Sequence, residues 1–450
     1  MSLSRVCWCA ASAVLFVTLL KSHAAPPTTI PVEGLRHNTP RVHALTGARI
    51  VIAPGRVVEQ GTVVIRDGVI EAAGDVKPPA DARIWDLNGK TIYAGFIDAY
   101  GEASISSDAA KAGTPYWNSL ITPQLAIANH YKASSDANKK LRAQGVTARL
   151  VAPSSGIIKG TSSLVLTGDD PNREAIIHDR VAQHIRLTVS PGRGRETYPN
   201  SPMGAVALAR QAMLDADWYG DAWAAYRANS TLPRPERNDA LDVLQAYPDS
   251  SNLIIADASN ELFVLRADEY ARQFALNIAV RGSGHEYKRL DAIVATGRAI
   301  ILPLEFPKPP NVASAETALN VDLEDLMHWD IAPENAARLD KAGVQIAFTS
   351  HGLKDQGTFL NAIRKAVERG LSSDSALRAL TTAPAQLFGV EGKLGTIERG
   401  KIANLVVTDG DLFAEKTKVI ETWVDGTRYE VAAKPEFDVR ELYQRHRRIY

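Results

Sequence analysis

The middle of this chain alternates short apolar runs with longer helix-like segments, and this alternation limits the folds it can adopt. The apolar runs have the length and composition of buried strands, and the longer segments have helical periodicity. The strand-like runs are Gly145–Ala152, Asn252–Ala256, Asn277–Val280, Ala299–Glu305 and Val344–Thr349. The helix-like segments are Ala133–Gln144, Pro202–Tyr226, Glu261–Phe274, His285–Thr296, Glu334–Ala342, Phe359–Gly370 and Ser375–Leu380. Repeated βα units predict an α/β fold with a parallel sheet, and a closed TIM-like (β/α)8 barrel is the expected solution.

Both flanks of this central stretch have the pattern of β-structure instead. Near the N-terminus, apolar runs within Ala44–Gly74 are separated by turn pairs such as Asp67-Gly68, as in a β-meander. Near the C-terminus, Leu394–Asp411 and Val419–Val431 supply further strands. Two β segments that bracket an α/β stretch predict one small β-sandwich domain formed from both chain ends.

Length and composition agree with one barrel plus one small β domain. The predicted domains are a signal peptide (1–24), the N-terminal part of the sandwich (43–92), the barrel (93–390), the C-terminal part of the sandwich (391–432) and a tail (433–450). The chain has 450 residues, of which 45% are hydrophobic and 23% charged, so a substantial core is available. The formal net charge is zero, which argues against nucleic acid or an anionic membrane as a partner.

The first 24 residues have the features of a signal peptide. Val6–Leu20 is an apolar run that is short for a membrane span of about 20 residues, and a small residue, Ala24, stands where cleavage is expected. Both cysteines of the chain, Cys7 and Cys9, fall inside this segment. The mature protein would therefore have no disulfide, thiolate metal site or cysteine nucleophile. We expect a periplasmic or secreted protein that does not associate with a membrane in its mature form.

The most informative motif is TIYAGFIDAYGE, which spans Thr91–Glu102. Its apolar run, glycine and Asp98 predict a buried parallel strand. The motif resembles the first barrel strand of the amidohydrolase superfamily, in its imidazolonepropionase-like branch, where the strand reads P-G-[FLI]-I-D-x-H-x-H. The two histidines of that pattern hold a catalytic metal. Their positions are occupied here by Tyr100 and Glu102.

A second motif supports the same resemblance. Family members carry an E-x-G-x-x-A-D-[LF]-V frame near the C-terminus. The corresponding residues here are Glu398, Gly400, Ala403, Asn404, Leu405 and Val406. The resemblance covers roughly residues 43 to 432. It implies a hydrolase that acts on non-peptide C–N bonds of a small substrate, with a metal such as zinc to activate water and a carboxylate to relay the proton.

The remaining metal-ligand positions implied by the resemblance also lack their usual residues. The histidine of a V-H-A strand is Ile255, and at Arg281–Gly284, where relatives often carry E-H-G, the nearest histidine is His285. The aspartate that ends the last barrel strand is replaced by His351. This ligand set is incomplete, so we expect no tightly bound zinc, although the resemblance implies one.

The catalytic groups of a barrel lie at the carboxyl ends of its strands, so polar residues there are the candidates. The catalytic candidates are His351, Glu102, Asp98 and Asp257. The substrate-binding candidates are Tyr100, His285 and Glu286. His351 can act as a general base near neutral pH, with an oxyanion site formed by backbone donors of Gly282–Gly284. The structural alternatives are a hydrogen-bonded rim residue for Glu102, a capping residue for His285, and a tolerated replacement for His351.

The Gly- and Ser-rich tract Pro153–Asp170 predicts a loop and hairpin above a barrel strand. Its Lys159 can form a Ser/Lys site with Ser162 or Ser163, whereas hairpins of this composition are usually structural. The turn-rich tracts Ser190–Asn200 and Phe306–Ala313 are candidate active-site loops. The sequence has no G-x-S-x-G elbow, P-loop or H-E-x-x-H motif.

Three functions remain open at this point. The first is a hydrolase of the amidohydrolase type. The second is a catalytically silent homologue that forms a homo- or hetero-oligomer with another, intact amidohydrolase. The third is a periplasmic protein that binds a small molecule without chemistry. The resemblance favours the first, and the replaced ligand positions favour the other two.

Overall fold

The computed structural model describes residues 41–106, 113–169, 175–189, 194 and 196–431. The predicted signal peptide and C-terminal tail lie outside the described residues, as does part of the candidate loop Ser190–Asn200. Within the described part of the chain, no helix combines the length and apolarity that a membrane crossing requires. The architecture is a mixed α/β fold, which confirms the predicted fold class at that level.

The strands of the described residues are numbered in chain order. They are β1 (Val42–Ala53), β2 (Arg56–Arg66), β3 (Val69–Gly74), β4 (Arg83–Asp86), β5 (Thr91–Ala94), β6 (Phe96–Asp98), β7 (Glu102–Ala103), β8 (Val146–Pro153), β9 (Ile158–Thr161), β10 (Ser163–Leu166), β11 (Ile176–His178), β12 (Gln183–Arg186), β13 (Leu253–Asp257), β14 (Asn277–Arg281), β15 (Ile300–Pro303), β16 (Ile346–Thr349), β17 (Leu405–Thr408), β18 (Val419–Val424) and β19 (Thr427–Glu430).

The α-helices of the same residues are numbered likewise. They are α1 (Ser135–Ala143), α2 (Pro202–Ala228), α3 (Asp239–Leu244), α4 (Glu261–Gln273), α5 (Leu290–Thr296), α6 (Ala315–Leu319), α7 (Leu323–Ile331), α8 (Asn335–Lys341), α9 (Phe359–Glu368), α10 (Ser373–Leu380) and α11 (Thr382–Leu387). Short 3-10 turns lie at Ile127–Asn129, Glu286–Arg289, Ala332–Glu334 and Gln356–Thr358.

One sheet contains strands from both ends of the described chain. Its order is β19-β18-β17-β5-β1-β2-β3, with β4 paired to β1. The C-terminal strand β17 pairs antiparallel with β5, and β5 pairs parallel with β1. Buried apolar side chains from both ends pack on this sheet, among them Leu45, Ile92, Leu405 and Trp423. The N-terminal strands therefore depend on the C-terminal strands for their core.

Two further sheets carry the central part of the chain. The five-stranded sheet has the order β11-β10-β8-β6, with β7 paired to β8. The six-stranded sheet has the order β16-β15-β14-β13-β12-β9, and β12 to β16 run parallel. A backbone hydrogen bond of 2.9 Å from Ala99 N to Phe348 O links the end of β6 to β16. This link brings Tyr100 and Glu102 to the edge of the six-stranded sheet where its parallel strands end.

The predicted elements around two loops differ from the observed ones. The predicted helix His285–Thr296 begins as an α-helix only at Leu290, after the 3-10 turn Glu286–Arg289. The predicted hairpin within Pro153–Asp170 has arms that join different sheets, because β9 pairs with β12 and β10 pairs with β8. Lys159 on β9 is therefore part of the six-stranded sheet instead of a loop above it.

Candidate active site

The register of three neighbouring parallel strands places charged residues in one row. Arg186 at the end of β12 lies opposite Asp257 at the end of β13, and Asp257 lies opposite Arg281 at the end of β14. Arg186 Nε donates to Asp257 Oδ2 at 3.1 Å, and Arg281 Nε donates to Asp257 Oδ1 at 3.1 Å. The buried Asp257 carboxylate is thus held between two guanidinium groups.

Lys159 reaches this row from β9, the strand next to β12. Its side chain is fully buried, and its Nζ donates to Glu102 Oε1 at 3.0 Å and to Asp257 Oδ2 at 2.5 Å. The next residue, Gly160, has φ of +112°, and a Cβ there would lie 2.5 Å from the carbonyl oxygen of Leu125. Only glycine fits this close approach without strain, so Gly160 allows β9 to present Lys159 to the two carboxylates.

Glu102 completes the arrangement from the short strand β7. Its Oε1 accepts hydrogen bonds from Arg186 Nη2 at 3.0 Å and from the hydroxyl of Tyr100 at 2.8 Å. The five charged side chains are connected through short contacts, and we call them the ion network. They are Glu102, Lys159, Arg186, Asp257 and Arg281.

The ion network keeps both carboxylates ionised. Burial alone would raise the pKa of Asp257, but Lys159 and the two arginines hold that pKa well below its usual range. Burial likewise opposes ionisation of Glu102, and the nearby Lys159 ammonium nevertheless lowers its pKa. Burial and the adjacent carboxylates raise the pKa of Tyr100 well above its ordinary value, so its hydroxyl stays a neutral donor.

The donor set at these strand ends does not fit a divalent metal. A metal ion would bind the carboxylate oxygens at about 2.0–2.2 Å, next to the buried ammonium of Lys159 that already contacts the same oxygens. Two positive charges at that separation in a buried site repel strongly. Among the described residues, no three His, Cys, Asp or Glu side chains are grouped so that they could hold a metal. These strand ends are therefore unsuited to a catalytic metal.

His184 on β12 is a fully buried histidine beside the ion network. Its ring centroid lies 5.6 Å from that of Tyr100, and neither ring nitrogen has a hydrogen-bond partner among the described residues. Burial and the charge of Lys159 lower the pKa of His184 to about 3. The imidazole is therefore neutral over the whole physiological range.

Because His184 stays neutral in the folded protein, folding stability should decrease in acid. An unfolded histidine has a pKa of about 6.5, so below that pH the unfolded chain binds a proton that folded His184 rejects. Folding stability should then fall as the pH drops from about 6.5 towards 3, with His184 alone contributing about 2 kcal/mol between pH 6.5 and 5.

Urea unfolding at several pH values measures this effect. The variant His184→Leu should lose that part of the slope between pH 6.5 and 5, whereas the half-buried control His130→Leu should keep it. An unchanged slope in His184→Leu would show that this histidine is protonated in the folded protein.

A cavity of about 920 Å³ opens beside the ion network at the carboxyl ends of β13 to β16. We call it the strand-end cavity. Its wall includes Arg281, His285, His328 and His351. The ring of His351 packs edge-on against Tyr100, with 5.1 Å between ring centroids. Burial and the neighbouring Arg281 lower the pKa of His351, so its imidazole is neutral near pH 7 and can accept a proton.

Two of the other predicted site residues, Asp98 and Glu286, are buried carboxylates that accept hydrogen bonds from protein atoms. Asp98 is fully buried and accepts hydrogen bonds from the Ser350 backbone at 3.1 Å and the Ser350 hydroxyl at 2.5 Å, which ties β6 to the end of β16. Glu286 is also fully buried and accepts from Ser283 N at 2.6 Å and Asn335 Nδ2 at 2.6 Å. Both carboxylates are therefore engaged by protein atoms and hold loops in place.

His285 lines the strand-end cavity and stacks on His328, with ring centroids 4.1 Å apart. The hydroxyl of Tyr287 lies 3.0 Å from His328 Nδ1 and braces this pair. The backbone donors proposed for an oxyanion site are already used, since Gly282 N donates to Ile301 O and the next two amides donate to Glu286. The predicted oxyanion site at Gly282–Gly284 is therefore wrong.

The structure brings Tyr100, Glu102 and Asp257 together at the strand ends. In the sequence, Lys159 is a candidate only for a Ser/Lys site, and Arg186 and Arg281 are not among the candidates. An arginine at the end of an apolar run, as in Val280-Arg281, is the sequence signal that points to such a site.

Comparison with known proteins agrees with this fold. The profile of the Amidohydrolase family matches residues 331–432. Amidohydrolase tasK from Hapsidospora irregularis is 26% identical over 412 residues, which cover 82% of this chain but 39% of that protein. A dihydroorotase from Anaeromyxobacter dehalogenans is 23% identical over 402 residues, which cover 81% of this chain and 88% of the dihydroorotase.

The crystal structure of an amidohydrolase from Thermotoga maritima MSB8 superposes with a TM-score of 0.70 at 22% identity, covering 86% of this chain and 99% of that one. The sequence of this chain is similar to that of amidohydrolase superfamily proteins, and its fold is similar to that of the Thermotoga amidohydrolase. Its relatives include an amidohydrolase and a dihydroorotase, so they support the superfamily and do not single out the imidazolonepropionase-like branch. The chain spans 39% of the length of tasK.

Proposed function

We propose that this protein binds a small molecule with a non-peptide amide bond in the strand-end cavity and hydrolyses its C–N bond slowly, without a metal. The observation that carries the proposal is the position of His351. Its neutral imidazole lies on the cavity wall, next to an ion network that occupies the strand ends where the resemblance implies a metal. The match of residues 331–432 to the Amidohydrolase family and the similarity to a protein named amidohydrolase support the reaction type.

In the proposed reaction, one residue, His351, takes up and returns the proton. His351 accepts a proton from water as the water oxygen attacks the carbonyl carbon of the amide. The C–N bond then breaks, and the protonated imidazole returns the proton to the leaving nitrogen, which gives a carboxylic acid and an amine. General-base catalysis of this kind supplies about 10²- to 10⁴-fold acceleration, against about 10⁶-fold or more for typical enzymes.

The surroundings of His351 support a slow reaction. The backbone amides of Gly282, Ser283 and Gly284 are satisfied within the protein, so they are not free to stabilise an oxyanion. An amide that is already activated, for example by ring strain, is therefore the more suitable substrate.

Turnover of a panel of cyclic and simple amides, followed by mass spectrometry, tests this proposal. We expect slow turnover that is insensitive to chelators and falls to background in His351→Ala. The matched control is His130→Ala, which alters a half-buried histidine outside the strand-end cavity and should keep most of the activity. Activity that survives His351→Ala would remove this residue as the base.

A second function has one specific observation in its favour. This chain aligns with only 39% of tasK, so that relative has length for a second domain of similar size. A barrel with replaced metal ligands could then serve as the silent partner of an intact amidohydrolase, as a homo- or hetero-oligomer. Ligand binding without any turnover, together with co-purification of an intact amidohydrolase, would favour this alternative.

We also propose that the chain forms a closed barrel and a β-sandwich and that the protein is exported. A closed barrel over residues 93–390 is supported by the parallel strands β12 to β16 and by the hydrogen bond from Ala99 to Phe348. A β-sandwich of residues 43–92 and 391–432 is supported by the sheet that joins strands from both ends. Export to the periplasm or the medium rests on the sequence of residues 1–24.

A further inference from the structure

We propose that the strand-end cavity selects ligands that carry a carboxylate on an apolar body, and that the terminal nitrogens of Arg281 bind this carboxylate. The inference rests on the proposed function only in placing the ligand at the strand ends. It adds the chemical class of the ligand and the residue that recognises it.

The hydrogen bonding of Arg281 leaves part of its guanidinium free. Its Nε donates to Asp257 Oδ1 at 3.1 Å, and among the described residues its two terminal nitrogens donate no hydrogen bond. The side chain is 16% exposed, and Arg281 lines the strand-end cavity. A guanidinium has five N–H donors in a planar fork, and the pair of terminal nitrogens matches the two oxygens of a carboxylate.

Two contacts restrain the orientation of this guanidinium. The central carbon of the Arg281 guanidinium lies 5.2 Å from the centre of the Tyr100 ring, and its Nε is anchored by the hydrogen bond to Asp257. A planar group held on two sides needs little reorganisation to bind a second planar group, and this preorganisation favours binding.

The charges of the cavity wall favour an anion. The cationic side chains are Arg281, Lys308 and Lys354, and the anionic side chains are Glu305 and Asp355, so three positive charges minus two negative charges leave one positive charge. An anionic ligand neutralises this excess.

The shape and lining of the cavity indicate the rest of the ligand. Its volume of about 920 Å³ lies within the range of small-molecule sites, about 300–1,000 Å³. Leu304, Phe306, Pro307 and Leu353 provide apolar surface next to the charged groups. A carboxylate joined to an apolar body satisfies both parts of the wall.

Binding of matched acids and alcohols to the purified protein tests the inference. The probes are 4-phenylbutanoate with 4-phenylbutan-1-ol and octanoate with octan-1-ol, measured by calorimetry or ligand-observed NMR. We expect each acid to bind about tenfold or more tightly than its alcohol, since a charge-assisted pair contributes more than a neutral hydrogen bond. These probes contain no C–N bond, so the result is independent of whether the protein hydrolyses amides.

A variant of Arg281 tests whether this residue causes the preference for the acid over the alcohol. Arg281→Lys keeps the positive charge but loses the fork, and we expect it to reduce the preference for the acid about tenfold. Arg272→Lys, at an exposed arginine that pairs with the buried Asp268, is the matched control and should bind as the unaltered protein does. Equal binding of acid and alcohol, no binding of either acid, or an unchanged preference in Arg281→Lys would each overturn the inference. The comparison of acid with alcohol needs no variant, so it decides the point even if Arg281→Lys does not fold.

Discussion

Replacement of Lys159 by methionine is expected to destabilise the protein by about 3–5 kcal/mol, because this lysine is fully buried and pairs with buried carboxylates. The ammonium lies between Glu102 and Asp257, and its removal leaves two buried carboxylates without their shared cation. Arg186 and Arg281 remain in contact with Asp257, so we expect the lower part of that range. Urea unfolding of the variant measures the loss directly.

Two further variants show whether the loss comes from the charges. Lys365→Met removes an exposed lysine that pairs with Glu368, and it should cost less than about 1 kcal/mol. Adding Glu102→Gln to Lys159→Met should recover part of the stability, because one unpaired buried charge is then removed. A loss in Lys159→Met no greater than in Lys365→Met would mean that the buried contacts of Lys159 contribute nothing.

Deletion of the residues after Ala385 should abolish folding of the N-terminal strands as well. The deletion removes β17, β18 and β19, and β17 is the neighbour of β5 in the sheet that also contains β1. Trp423, which is fully buried, packs edge-on against His43 and Trp85 of the N-terminal strands. Truncating one buried tryptophan costs about 3–5 kcal/mol, and a whole domain is stable by only about 5–15 kcal/mol.

Circular dichroism and hydrogen exchange of the truncated protein test this expectation. We expect no protected amides in β1, β2 or β5. The single variant Trp423→Ala should lower the free energy of unfolding by about 3–5 kcal/mol, whereas Trp117→Ala, at a side chain that is 65% exposed, should cost less than about 1 kcal/mol. A truncated protein that unfolds at an unchanged midpoint would contradict a shared core.

The parallel strands were predictable where their residues form continuous apolar runs. Leu253–Asp257 and Asn277–Arg281 lie within about one residue of the predicted strands, because strands buried on both faces have this simple pattern. Strand β12 was not predicted, since Gln183, His184 and Arg186 are polar and the strand is only four residues long. The burial of Gln183 and His184 depends on neighbouring strands, which local sequence does not report.

The ion network was less predictable than the strands. Lys159 is 57 positions from Glu102 and 98 positions from Asp257, and only the register of several strands brings them together. The polar end of β13 is Asp257, two residues beyond Ile255, which the resemblance placed at a metal-ligand position and which is fully buried in the apolar interior. Motif comparison therefore identified the altered strand ends, and the paired charges that occupy them became visible only in three dimensions.

The central claim is that Lys159, Arg186 and Arg281 supply the positive charge at the strand ends where the resemblance implies a metal. The metal content of the purified protein tests this claim most directly. The protein would be incubated with excess zinc, dialysed, and measured by inductively coupled plasma mass spectrometry. We predict far less than one zinc ion per chain, before and after loading. One zinc ion per chain, with an anomalous-scattering peak coordinated by Glu102 and His351, would contradict the claim.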